Sequence, residues 1–131
     1  MQPHLFLKRV LLLDAASCLG MGILLAAGAG PLAPLLGLGS SLLLGAGAVL
    51  VPIGLFILWA GARRTLLPAA VYLIVAGNLL WVIESVLVVR GTEAITSLGT
   101  AFVLVQAAAV AGLCALEWLG IRRVRGVAAQ A

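Results

Sequence analysis

Residues 66–89 read LLPAAVYLIVAGNLLWVIESVLVV, a run in which only Tyr72, Asn78, Trp81, Glu84 and Ser85 carry a polar side-chain atom. At 1.5 Å per residue, a helix of about 20 residues spans the ~30 Å hydrocarbon core of a bilayer. Lipid offers the backbone no hydrogen bonds, so such a run must satisfy its own amides as a helix. The absence of period-two alternation removes the barrel alternative. Three further stretches of this kind flank it, and the expected spans are Val10 to Gly30, Leu42 to Gly61, Leu66 to Val89 and Ile95 to Leu119. Joined by short loops, they predict a single all-α domain over residues 1–131, a transmembrane four-helix antiparallel bundle.

Composition agrees with that reading. In this chain of 131 residues, 64% are hydrophobic and 9% charged, and the mean hydropathy is +1.28, far from the range of water-soluble domains. The formal charge of +4 would suggest nucleic acid in a soluble protein. Here the basic residues lie between apolar runs rather than along one face, so no nucleic-acid partner is expected and the charges read as topology signals. Lys8 and Arg9 precede the first run, Arg63 and Arg64 separate the second from the third, and Arg122, Arg123 and Arg125 follow the fourth, leaving Arg90 alone on the other side. The positive-inside bias then places both termini in the cytoplasm, N-in and C-in. Lys8 and Arg9 ahead of Cys18 superficially resemble a lipoprotein signal. Asp14 cuts that apolar core short and the chain stays apolar after Cys18, so the segment is expected to be retained as a helix.

Small residues at four-residue spacing in the first helix, Ala16 with Gly20, Gly22 with Ala26 and Ala26 with Gly30, predict close helix approach. Pro31 and Pro34 are expected to end that helix in an irregular or short interfacial piece. Pro52 predicts a kink in the second helix, Trp59 an interfacial anchor beside Arg63 and Arg64, and Thr65 with Pro68 a capped start to the third. No internal duplication is visible, nor a phosphate loop, a metal-spaced Cys/His cluster or a nucleophile elbow. Cys18 and Cys114 read as small packing residues, and His4, the sole histidine, leaves no pair for haem. No cofactor is expected.

The intramembrane polar residues are the candidates for a site. An ionisable group at a helix centre costs about 2.5–3.5 kcal/mol on insertion scales, so each needs a reason. Asp14 lies five residues past Arg9 and Glu117 five before Arg122, which puts both at similar height, roughly 7–8 Å inside the cytoplasmic edge. The plain expectation is that these two acids reach to the interface and balance nearby arginines. The sharper one is a cytoplasm-facing proton or cation site, where one carboxyl stays protonated if the pair is close and dry. On the third helix Gly77, Trp81, Glu84 and Val88 share a face flanked by Asn78 and Ser85, a polar pocket built around Glu84. On the fourth, Gln106 and Glu117 lie about 20° apart in projection, and Gln106 is expected to meet Asn78 in an interhelical hydrogen bond worth about 0.6 kcal/mol, up to about 1.7. The candidate site is therefore Glu84, Trp81, Asn78 and Gln106, with Asp14 and Glu117 as a second pair.

Leu13-Asp14-Ala15, Pro52, Asn78-Leu-Leu-Trp81, Thr100-Ala-Phe, Gln106 and Leu116-Glu117-Trp118 through Arg123 together resemble small bacterial four-helix membrane proteins of unassigned function, and in general size the chain is similar to DoxX-like tetraspan proteins. The resemblance implies a fold and a bacterial inner membrane, not an activity. Three expectations for function stand side by side. One is a non-enzymatic subunit or binding partner in a membrane assembly, homo-oligomeric or larger. Another is a small carrier or a proton- or cation-coupled channel acting as a homodimer through Glu84. The third is a lipid- or quinone-binding enzyme, for which no nucleophile or redox centre is in sight, so an enzyme is the less expected reading.

Overall fold

The structure, a computed structural model, describes residues 2–130, with side chains as far as Val127. It is all-α: α1 (Pro3–Leu36), α2 (Ser40–Ala62), α3 (Pro68–Gly91) and α4 (Ser97–Gln130). Each helix is long and apolar enough to cross a membrane. Apolar residues surround every helix rather than forming one stripe, and large ones such as Leu13, Leu73 and Val105 are more than half exposed on the outside of the bundle. In water this surface would be untenable; against acyl chains it is the expected solvent face.

Helices α1 and α4 run well past the spans expected for them. Outside hydrocarbon nothing stops a helix whose flanks lack a breaker, and the added turns pack: Leu7 and Ile121 are fully buried, and Leu7 lies against Gly120. A second departure is that α1 does not end at its prolines but continues through Pro31 and Pro34 to Leu36. A proline inside a helix removes one amide donor and crowds the carbonyl four positions earlier, here those of Ala27 and Gly30, and α1 absorbs both costs in its last two turns. The helix ends instead at Gly37, whose left-handed backbone (φ 68°) lets the amides of Gly37 and Leu38 both donate to the Ala33 carbonyl. Helix α2 passes unbroken through Pro52. Helix α3 starts with Pro68 at its first turn, but the residue before it is Leu67, so Thr65 stands too early in the chain to cap.

The last turn of α1 is finished by the chain entering α4. Thr96 donates its backbone amide to the Leu36 carbonyl at 3.1 Å and its hydroxyl to the Leu35 carbonyl at 2.7 Å, while the same hydroxyl accepts the Gly99 amide at 2.9 Å. One side chain thus serves a helix end and a helix start. Thr96→Val keeps the shape and removes both side-chain bonds, so a loss of about 1–2 kcal/mol is expected in detergent unfolding of the variant against the parent. An unchanged midpoint would show the lock to be idle.

Helix α1 is the hub. It packs along α2 and α4, α3 packs on α4, and α2 scarcely touches α3. The α1/α2 seam is lined by glycines: Gly22 and Gly47 face each other beside Ala26, and Gly54 and Gly61 receive Leu19 and Leu11. A seam between α2 and α3 is left open, and the interior beneath it is loosely filled.

Candidate functional site

Three helices bring polar side chains to one point. Asp14 on α1 and Glu117 on α4 are 1% and 0% exposed, and Asn78 on α3, 6% exposed, stands between them. The Asn78 amide nitrogen donates to Asp14 Oδ2 at 2.8 Å and to Glu117 Oε1 at 2.7 Å, spending both of its N–H groups. The Cys18 thiol, one turn on from Asp14, lies 3.7 Å from Asp14 Oδ1. Glu117 Oε2 is buried and has no hydrogen-bond partner among the described residues. The two acids therefore do not reach out to the interface. Their partner is the Asn78 amide, because the side of each helix that carries them faces the bundle axis, where the basic residues of the helix ends do not follow.

A second network lies farther along α3. The Trp81 indole donates to Gln106 Oε1 at 2.8 Å, and Gln106 Nε2 donates to Ser85 Oγ and to the Val103 carbonyl, each at 2.9 Å. Ser85 closes the loop by donating to the Trp81 carbonyl at 2.8 Å. Gln106 thus meets Trp81 and Ser85, not Asn78 as expected. Trp81 also lines three cavities. One of about 380 Å³ opens between α2 and α3 and reaches Cys18 and Asn78; one of about 360 Å³ lies toward the Gly39 end of α2 and includes Ser85, Gln106 and Glu84; one of about 470 Å³ lies between α1 and α4. Their linings are overwhelmingly apolar.

The four expected residues thus divide. Asn78 joins Asp14 and Glu117, Trp81 and Gln106 pair with each other, and Glu84 stands apart, exposed, with no hydrogen-bond partner among the described residues. The inward stripe of α3 is Val71, Ile74, Asn78 and Ser85, all buried, and Glu84 lies about 120° around the helix from Asn78. Ser85 was a flank in the sequence reading and is a member of the network here. Cys114 donates to the Val75 carbonyl at 3.5 Å, and both cysteines are free thiols.

Aromatic and basic side chains gather where α2 ends, α3 begins and α4 makes its last turns. Arg63 sits 4.8 Å over the Trp59 ring, which stacks on Phe56 at 5.8 Å. Tyr72 meets Trp118 edge-on at 6.0 Å and accepts a hydrogen bond from Arg125 at 3.1 Å. In comparison with known proteins, no family model, no curated protein and no solved structure matches this chain.

Proposed function

We propose that the chain is a multi-pass membrane protein whose helices run alternately up and down, with both termini on the cytoplasmic side of a bacterial inner membrane. We further propose that it works as a non-enzymatic subunit or binding partner in a membrane assembly. Orientation rests on the positive-inside bias together with the cluster of Trp59, Tyr72 and Trp118 against Arg63 and Arg125, an arrangement suited to a headgroup layer facing anionic lipid.

The observation that carries the functional reading is Glu84. Two of the three acids within the apolar spans are enclosed and bonded, whereas Glu84 is exposed on the lipid-facing side of α3, in the wall of a cavity at the open α2/α3 seam. An unpartnered carboxyl there costs insertion energy for nothing that this chain supplies, and intramembrane acids that persist face a partner or a pathway. A neighbouring transmembrane helix bearing a donor, from a second copy or another subunit, meets that need and closes the seam.

Purification from membranes in mild detergent tests this. The parent is expected to elute as a species larger than the monomer. Glu84→Leu is expected to accumulate at least as well, since it relieves the cost of inserting an unpartnered carboxyl, yet to elute as a monomer. Recovery of the parent only as an isolated monomer would overturn the reading.

A further inference from the structure

We infer that Asp14 and Glu117 form a proton-binding site, holding one proton between their carboxyls, with Asn78 as the fixed donor that completes it. The first support is the count of donors. Four carboxyl oxygens receive the two N–H groups of Asn78 and a long thiol contact from Cys18, and Glu117 Oε2 receives nothing, although a single nitrogen, at 2.8 Å from Asp14 Oδ2 and 2.7 Å from Glu117 Oε1, holds the two carboxyls side by side. Two carboxylates so placed would present acceptor to acceptor. A proton on either one supplies the missing donor and allows an O–H···O⁻ bond between the two carboxyls, among the strongest in proteins.

The second support is charge. Two enclosed carboxylates with no cation beside them would each bear several kcal/mol of desolvation, plus their mutual repulsion. On α1 and α4 the ionisable neighbours are Cys18 and Cys114, which carry no positive charge, with Lys8, Arg9 and Arg122 about 7–9 Å away along the axis and in no ion pair with either acid. On α3 the group is Asn78, with Tyr72 and Glu84 about 9 Å away along the axis in either direction. Helix α2 holds no ionisable residue. One proton removes one of the two charges and leaves the other to the Asn78 amide.

The amide also selects the occupant. It turns its NH₂ group, not its carbonyl, toward both acids, which suits acceptor oxygens and repels a metal ion. A sodium or potassium ion would need several converging oxygens, and Glu117 Oε2 is the one enclosed carboxyl oxygen left without a partner. Among the described residues no group of three His, Cys, Asp or Glu is placed to hold a metal ion.

Infrared spectroscopy of the full chain in lipid nanodiscs tests the inference independently of any assembly. At neutral pH the parent is expected to show a protonated-carboxyl C=O band that persists in Glu84→Gln and disappears in Asp14→Asn/Glu117→Gln, whose amides keep hydrogen bonds available to Asn78. Absence of the band in the parent, or its persistence in the double variant, would overturn the site. So would bleaching of the band by added sodium or potassium at constant pH, which would assign the site to a cation. Should the double variant not fold, Glu117→Gln replaces it: loss or displacement of the band is expected, and an unaltered band overturns the inference.

Discussion

Asn78→Leu is expected to lose about 3–5 kcal/mol of stability, the largest effect of any single substitution that leaves the backbone undisturbed. Leucine has nearly the same shape, so little of the loss comes from packing. It comes from Asp14 and Glu117, which stay enclosed while both of their donors, at 2.8 and 2.7 Å, vanish. The cost of an orphaned buried charge exceeds the net worth of the bond that satisfied it. A companion variant separates the two. Replacing the whole network at once, as Asp14→Leu/Asn78→Leu/Glu117→Met, removes the enclosed acids with their donor and is expected to recover most of the loss, because a well-filled apolar cluster is often as stable as the polar one it replaces. Unfolding in mixed micelles, read by the elution profile of the surviving folded fraction, compares the three proteins. Equal stability of Asn78→Leu and the parent would mean that the amide supports nothing.

The helices were legible because lipid leaves the chain no alternative: a run such as residues 66–89 has to be a helix of about that length. Their ends were not, for two different reasons. Hydropathy marks where hydrocarbon stops, and α1 and α4 keep turning beyond it to bury Leu7 and Ile121. Proline marks where a helix is disfavoured, not where it must stop, and α1 carries Pro31 and Pro34 inside it and ends where Gly37 turns left-handed.

The polar residues were legible as individuals and not as pairs. Asp14 and Glu117 could be set at one height by counting from Arg9 and Arg122, which is one-dimensional arithmetic. Whether they turn inward or reach outward depends on helix rotation, which their own helices do not encode. A polar pocket built around Glu84 requires that this costly residue set the rotation of α3. The helix turns by Val71, Ile74, Asn78 and Ser85 instead, where apolar contact and two hydrogen-bond networks outweigh one carboxyl. Exposure of Glu84 is the informative exception, since local cost and global packing disagree there, and such disagreements collect at functional positions.

Gly47→Leu is the substitution expected to take the bundle apart. A Cβ at Gly47 would stand 2.6 Å from the Ala26 nitrogen and 2.6 Å from the Gly22 oxygen, and both are backbone atoms of a helix that cannot flex away. At Gly22 the reciprocal distance to the Gly47 oxygen is 3.1 Å, so the two helices meet main chain against main chain. Of the small pairs that spacing predicts, Gly22 with Ala26 makes this approach, whereas Gly20 and Gly30 have nothing within 4 Å and contribute no such contact. In lipid, association rests on this close packing, because apolar side chains gain little by leaving acyl chains for each other. Alanine at position 47 already forces the axes apart, at about 1–3 kcal/mol for overpacking, and leucine does more. Gly45, two residues away with open space around its Cβ position, is the control, and Gly45→Ala is expected to be neutral or slightly stabilising because alanine forms helix better than glycine. A cysteine pair across the α1/α2 seam, cross-linked in native membranes, reports the approach directly. Cross-linking that survives Gly47→Leu at the parent level would show that the glycines are not what brings α1 and α2 together.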